Sequence, residues 1–98
     1  MTHKKIIELI KSFPFDVPLV VTWRDAVDCS EEISRETLGD LKEVIYETIG
    51  YYIDFKDDYI VLGYNKEQKT HTYKGYGYIP SSLIITVDRF SNKRGVEL

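Results

Sequence analysis

The stretch from Gly75 to Ile85, with the sequence GYGYIPSSLII, constrains the fold of this chain more than any other segment. Pro80 fixes its own φ angle and favours an extended conformation for the isoleucine before it, and the two serines that follow can hydrogen-bond to their own backbone. These properties predict one tight helical turn between two strands. Such a turn suits the closure of a small β-barrel.

A hairpin between Val44 and Asn65 is the clearest predicted element, because two β-rich runs flank a four-residue turn at Lys56–Tyr59. We set its register by pairing Phe55 with Ile60. Alternation then gives the other pairs on the same face: Ile53 with Leu62 and Tyr51 with Tyr64. The opposite face receives three side chains: Tyr52, Asp54 and Val61.

The other predicted elements complete a mainly β domain. They are a helix at about 3–13, a strand at Val17–Trp23, a loop with a helical turn at Ser30–Lys42, and strands at Tyr73–Ile79 and Leu83–Phe90. The fold class is therefore a small antiparallel barrel or a strongly bent sheet of four to five strands with an N-terminal helix. An α+β sheet with the helix packed on one face fits the same periodicities and stays open.

Length and composition indicate one folded domain over residues 1–98, with the barrel at about 17–90 and a tail at 91–98. The chain is 43% hydrophobic and 30% charged, which is typical of globular proteins. Charged residues interrupt the apolar N-terminal segment, so we expect no signal peptide, no membrane span and a cytoplasmic location. The single cysteine cannot form an internal disulfide, which agrees with that location.

Charge is unevenly distributed along the chain. Residues 25–58 carry eleven acids and three bases, whereas the whole chain has a net charge of −3. An acidic middle segment argues against duplex DNA as a partner, because phosphate contacts require clustered basic residues. A solvated acidic surface that maintains solubility explains this segment better than a binding role.

Few residues suggest catalysis or metal binding, so we expect no enzyme, no metal site and no cofactor. Cys29 and His71 could act as nucleophile and base, but acidic neighbours disfavour the thiolate. Four carboxylates could gather around a cation: Asp25, Asp28, Glu31 and Glu32. The segment that contains them lacks the glycine and the final glutamate of a calcium-binding loop. Gly75 and Gly77 have the wrong spacing for a phosphate loop, and we expect both to face inward with Ile79 and to let the sheet curve.

Eight tyrosines suggest a binding surface instead. We expect Tyr51 and Tyr64 to face the core. Outward tyrosines with nearby cations could stack on a base or anchor a protein partner. The candidate binding residues are Tyr76, Tyr78, Tyr52, Lys74, His71, Arg89 and Trp23. Trp23 also fits a core position, which we prefer.

The run Gly77–Leu83, GYIPSSL, resembles the end of a Src-homology-3 (SH3) domain, in which a similar Ile-Pro-Ser segment forms a helical turn before the last strand. The resemblance implies an SH3-like barrel. In that family the proline and neighbouring aromatic residues help to form a groove for proline-rich peptides. The acidic-aromatic opening motif and the paired tryptophans of the family are missing from this chain.

A longer resemblance covers about residues 20–87. Four segments carry it: Thr22-Trp23-Arg24-Asp25-Ala26, Ile49-Gly50-Tyr51, Asp58-Tyr59-Ile60-Val61-Leu62 and Ile79-Pro80-Ser81-Ser82-Leu83-Ile84. In this order they resemble small uncharacterised proteins of phage and prophage type. The resemblance implies a phage-encoded accessory protein that acts in the host cytoplasm, for which host takeover or counter-defence by binding are common roles.

The sequence therefore favours a non-catalytic, phage-type binding protein that inhibits or modulates a host protein. A protein that sequesters a small nucleotide immune signal is the first alternative, and a barrel that binds single-stranded nucleic acid is the second. We expect no membrane partner and no cofactor. The sequence leaves open whether the chain forms a homo-oligomer.

Overall fold

The computed structural model describes residues 2–25, 34–35 and 44–91. One helix and five strands follow one another along these segments. They are α1 (His3–Ser12), β1 (Pro18–Arg24), β2 (Ile45–Lys56), β3 (Tyr59–Lys66), β4 (Tyr73–Pro80) and β5 (Ile84–Arg89), with a 3-10 turn at Ser81–Leu83 between the last two strands. The mainly β class, the N-terminal helix and the helical turn after Pro80 are confirmed. Most of the predicted loop at Ser30–Lys42 and most of the predicted tail lie outside the described residues.

Helix α1 is amphipathic and covers one side of the sheet. The Thr2 side chain caps it by accepting a hydrogen bond from the Lys5 amide at 3.3 Å. Ile6 and Ile10 point into the core, and the helix packs on β5 and on the 3-10 turn. Its end coincides with Phe13, whose backbone is extended, as expected of a residue that precedes proline.

The five strands form one antiparallel sheet in the order β4-β3-β2-β1-β5. Strand β2 belongs to both halves of this sheet. Its first half, residues 45–51, pairs with β1, and its second half, residues 51–56, pairs with β3. A register shift after Tyr52 lies near the start of the half that pairs with β3, and such bulges bend a strand.

The connection between the two edge strands requires the sheet to be strongly bent. In a flat sheet, β4 and β5 would lie about 19 Å apart, because neighbouring strands are spaced by about 4.8 Å. Only Ser81–Leu83 joins them, and a 3-10 turn rises by about 2 Å per residue. The edges must therefore curl towards each other at this corner. Within the described residues β4 and β5 do not pair with each other, so the sheet is strongly bent and open rather than a closed barrel.

The core lies between α1 and the inner face of this bent sheet. Ten hydrophobic residues are buried there: Ile6, Ile10, Leu19, Val21, Tyr52, Ile60, Leu62, Ile79, Ile84 and Val87. Every strand contributes at least one of them. Fully burying an aliphatic side chain stabilises a fold by about 1.5–3 kcal/mol, so these residues hold the two halves of the sheet together.

The hairpin turn is confirmed at the predicted place. Asp57 and Asp58 both have positive φ angles, 54° and 65°, as a two-residue hairpin turn of type I′ requires. Lys56 pairs with Tyr59, and Phe55 pairs with Ile60 as predicted.

The predicted register fails beyond Phe55, because a bulge inserts one residue. Asp54 pairs with Val61, but Tyr52 pairs with Leu62, so Ile53 is the extra residue. The predicted pairs of Ile53 with Leu62 and of Tyr51 with Tyr64 are therefore wrong.

The bulge reverses the predicted orientation of Tyr52, and a second tyrosine, Tyr64, is more exposed than predicted. Tyr52, predicted to face outward, has only 2% of its surface exposed. Tyr64, predicted to face the core, is 46% exposed. Its ring lies beside Gly75 and Gly77, where a Cβ atom on Gly77 would overlap the tyrosine hydroxyl group. These glycines therefore accommodate a side chain from β3, and Gly75 also adopts a φ of 85° that other residues rarely adopt.

No helix in the part of the chain that the structure describes is long and apolar enough to cross a membrane.

Candidate functional site

Three tyrosines form a continuous exposed surface on the outer face of β3 and β4. Tyr76 and Tyr78 are each 59% exposed, and Tyr59 is 42% exposed. The Tyr76 and Tyr78 ring centroids are 5.4 Å apart, and those of Tyr59 and Tyr78 are 6.2 Å apart. Both pairs meet edge to face, with interplanar angles of 75° and 76°. We call these three residues the tyrosine surface.

Strand pairing explains why these rings meet. Tyr78 lies opposite Val61, Tyr76 lies opposite Gly63, and Tyr59 lies opposite Pro80. None of these partners carries a large side chain, so the rings extend over them and contact one another. Alternation along β4 sends the intervening Gly77 and the buried Ile79 to the inner face. The outward orientation predicted for Tyr76 and Tyr78 is therefore confirmed.

A shallow groove of about 400 Å³ adjoins the tyrosine surface at the hairpin turn. Its walls are the rings of Tyr59 and Tyr78, and Val61 provides an apolar part of the lining. Among the residues that the structure describes, Lys56 and Asp57 are the charged members of the lining, one positive and one negative. The groove is therefore aromatic in character and has balanced charge.

Tyr76 influences the hydroxyl group of Tyr78. A side-chain hydrogen bond with Tyr76 raises the pKa of Tyr78 above its ordinary value of 10.0, and the charge of an ionised Tyr76 raises it further. At neutral pH the Tyr78 hydroxyl group is therefore protonated, and it can both donate and accept a hydrogen bond.

Lys74, His71 and Arg89 do not join the three rings in one cluster. Lys74 is exposed two residues before Tyr76, and its backbone carbonyl accepts a hydrogen bond from Nδ2 of the Asn65 side chain at 3.2 Å. His71 has a φ of 56° and lines a separate groove of about 300 Å³ with Tyr51 and Lys66. Arg89 is exposed at the end of β5, the opposite edge strand of the sheet.

Tyr52 and Trp23 belong to the interior rather than to a binding surface. Burial raises the pKa of the Tyr52 hydroxyl group, with a smaller effect from Asp54, and the Phe15 ring packs 5.3 Å from the Tyr52 ring. Trp23 packs partly buried against the core, and its Nε1 donates to the Thr48 hydroxyl group at 2.9 Å. The core position that we preferred for Trp23 is confirmed, and the outward position of Tyr52 is corrected by its burial.

Sequence reasoning missed Tyr59, which we placed in the hairpin turn and did not include among the candidates. The available signal was its position two residues before Val61, which was assigned to the outer face. That assignment puts Tyr59 on the outer face as well. Once Pro80 is paired with Tyr59, the third ring of the surface follows.

A histidine and a serine meet at a second place, near the start of α1. His3 Nε2 lies 2.9 Å from the hydroxyl oxygen of Ser81, and this serine is buried. Within the described residues no carboxylate hydrogen-bonds to His3 to complete a catalytic triad. The pair instead links the helix to the 3-10 turn.

The other sequence candidates give no cluster in the described residues. Cys29, Asp28, Glu31 and Glu32 lie outside them. Among the residues that are described, no group of three or more histidine, cysteine, aspartate or glutamate side chains could hold a metal ion.

Comparison with models of known protein families gives no match for this chain, and comparisons with curated proteins and with solved structures find no similar protein.

Proposed function

We propose that this chain is a non-catalytic binding protein and that it contacts a protein partner through the tyrosine surface. The exposure of three rings in mutual contact is the observation that supports this proposal most strongly. Folding buries the alternate residues of the same strands but leaves these rings in water. Tyrosine provides large apolar area together with a hydroxyl group, and it is enriched at the centres of protein interfaces.

Ring geometry and charge favour a protein over single-stranded nucleic acid. Stacking successive bases requires ring faces that are open along a positively charged groove. Here the edge of one ring meets the face of the next, so part of each contacted face is already covered. The adjoining groove has one lysine and one aspartate, and the whole chain has a net charge of −3. These charges provide little attraction for a phosphate backbone.

The resemblance to small phage and prophage proteins supplies the biological setting of the proposal. In that setting the partner is a host protein that this chain inhibits or modulates, including a component of host defence. The resemblance supports the setting, and the tyrosine surface supports the location of binding.

A small nucleotide signal is the second candidate ligand. The groove of about 400 Å³ beside Tyr59 and Tyr78 falls within the size range of small-molecule sites, about 300–1,000 Å³. Lys56 lines this groove and could pair with a phosphate group. The chain would then sequester the nucleotide by stacking its base on a tyrosine ring.

Site-specific photo-crosslinking in producing cells tests the protein-binding proposal. A photoreactive phenylalanine analogue at position 76 should crosslink a partner that the same analogue at position 46 does not. Tyr46 is a matched control, because it is also an exposed tyrosine but contacts Trp23 on β1. With the purified partner, Tyr76→Ala should raise Kd by about tenfold or more, and Tyr46→Ala should leave it nearly unchanged. Equal crosslinking at both positions, or unchanged affinity of Tyr76→Ala, contradicts the proposal.

Two measurements separate the other ligand classes. A nucleotide that fills the groove should raise the melting temperature of the wild-type protein, and Lys56→Ala should reduce that increase. Single-stranded DNA binding, in contrast, should weaken steeply as salt increases. A melting temperature unaffected by millimolar nucleotides eliminates the second candidate, whereas tight, salt-sensitive DNA binding eliminates the preference for protein.

A further inference from the structure

Strand β4 is an edge of the sheet that the structure describes, and some of its backbone N–H and C=O groups point away from β3 and out of that sheet. Among the strands that the structure describes, only β3 pairs with β4. Edge strands are templates for pairing with another chain unless charge, proline or a bulge protects them. The location of these protecting features along β4 therefore decides where a strand of another chain could pair with it.

The hydrogen-bond pattern identifies which backbone groups face the free edge. The Ser81 amide donates to the Asp58 carbonyl at 2.8 Å, which makes Tyr59 and Pro80 a pair that does not hydrogen-bond to each other. Such pairs alternate with hydrogen-bonded pairs along an antiparallel ladder. The register is continuous from Pro80 back to Tyr76, so the N–H and C=O groups of Tyr78 and Tyr76 also point away from β3.

Protecting features stand at both ends of this short segment and not within it. At one end, Pro80 has no N–H group to donate. At the other end, Gly75 has a φ of 85°, the regular pairing is interrupted there, and Lys74 precedes it. Between these limits, residues 76–78 carry no charge and no proline. A strand that adds here can therefore make regular hydrogen bonds over only about three residues.

We infer that a second copy of this chain pairs with residues 76–78 in antiparallel orientation, with Tyr76 of each copy opposite Tyr78 of the other. A twofold axis then passes between the two Gly77 residues. Each copy provides two outward N–H groups and two outward C=O groups at the same spacing, so four hydrogen bonds form across the axis. Every outward N–H and C=O group of the segment finds a partner, because both copies have the same spacing of outward groups.

Side chains support this self-pairing. The exposed rings of the two copies come together on one outer face, where each Tyr76 lies beside a Tyr78 and can repeat the edge-to-face contact that exists within one chain. Lys74 of each copy lies opposite Pro80 of the other, so the two lysines do not oppose each other. Dimerisation uses the backbone of β4 and leaves the outer side of the rings accessible. The inference goes beyond the proposed function and does not depend on the identity of a partner.

A matched pair of variants at position 78 tests the backbone pairing. Tyr78→Pro and Tyr78→Val both remove the ring, but only the proline removes the N–H group at the edge. Proline is compatible with the fold of one chain, because this N–H group makes no bond to β3. Sedimentation of the wild-type protein should give twice the chain mass of 11.5 kDa at about 100 μM. Tyr78→Pro should raise the dimer Kd by at least about tenfold relative to Tyr78→Val, because two hydrogen bonds are lost per dimer.

Hydrogen exchange of the wild-type protein provides a second measurement that needs no variant. The amides of Tyr76 and Tyr78 should exchange more slowly at concentrations that favour the dimer than at low concentration. The Ile79 amide is the control, because it bonds to β3 in the ladder and should be protected at both concentrations. A monomeric mass at 100 μM, equal dimer Kd values for the two variants, or concentration-independent exchange of Tyr76 and Tyr78 overturns the inference. Loss of partner binding by Tyr78→Val with the dimer intact supports both proposals separately.

Discussion

The two faces of the β3–β4 hairpin come from the same strands and differ sharply in their surroundings. On the inner face Ile60, Leu62 and Ile79 are buried in the core. On the outer face Tyr59, Tyr78 and Tyr76 lie in water. Burial explains the first set through its contribution to stability. It does not explain the second set, so the difference between the faces separates residues that hold the fold from residues available to a partner.

Replacing one residue from each face provides the strongest test of this comparison. Leu62→Ala should lower the free energy of unfolding by about 2–5 kcal/mol, because it leaves a cavity in the core. Tyr76→Ala should lower it by less than about 1 kcal/mol, because its ring is mostly exposed. Urea denaturation followed by circular dichroism measures both values. If Tyr76→Ala destabilises as strongly as Leu62→Ala, the outer face is part of the core of a larger assembly.

Gly77 tests the part of the inner face that it shares with Tyr64, towards the loop that joins β3 and β4. Gly77→Ala should lower the free energy of unfolding by up to about 1 kcal/mol, because the added methyl group overlaps the Tyr64 hydroxyl group and the exposed tyrosine ring must move aside. In a Tyr64→Ala background the same substitution should cost much less, since the overlapping atoms are gone. Equal costs in the two backgrounds would show that backbone conformation, rather than the Tyr64 ring, limits this position.

The smallest expected effect is a change in a tyrosine pKa. It can be compared between one hydroxyl group on each face, Tyr78 on the outer face and Tyr52 on the inner face. The pKa of Tyr78 is raised first by Tyr76, whereas the pKa of Tyr52 is raised first by burial. Tyr76→Phe should therefore lower the pKa of Tyr78 towards 10.0 and leave the pKa of Tyr52 unchanged. Tyrosine ring signals followed by NMR over an alkaline titration measure the two groups separately.

The same titration has a consequence for stability, because the Tyr52 pKa is higher in the folded chain than its ordinary value of 10.0. The unfolded chain then loses this proton first as the pH rises. The contribution of Tyr52 to stability should be complete below about pH 10 and should decrease above it. A folded state that becomes more stable between pH 10 and 11 contradicts the assigned direction of the shift.

Local sequence patterns predicted the parts of the fold that depend on neighbouring residues. The Asp57-Asp58 turn, the end of α1 near Pro14 and the turn after Pro80 each follow from the backbone preferences of a few residues. The bulge in β2 does not follow from such local preferences. Nothing in Tyr51-Tyr52-Ile53 distinguishes the extra residue, and the packing of Tyr52 against Phe15 comes from a distant segment.

For the candidate site, too, local patterns predicted orientation along one strand but not contacts between distant segments. Counting back from Ile79 by alternation placed Tyr78 and Tyr76 correctly on the outer face. Alternation placed Lys74 on the same face, whereas His71 and Arg89 were added by chemical type. The separation of Arg89 from the rings follows from the strand order, which a single sequence does not specify. Tyr59 was missed because its pairing with Pro80 is a contact between strands.

The position of β1 between β2 and β5 has a consequence for the order in which the protein folds during synthesis. Strands β2, β3 and β4 are joined by short turns and can pair as each one leaves the ribosome. Strand β1 is made before all of them, yet one of its two neighbours is β5, which comes last in chain order among the described strands. Until β5 emerges, one side of β1 has no partner strand, and a nascent chain stalled before Ile84 should be sensitive to aggregation and proteolysis.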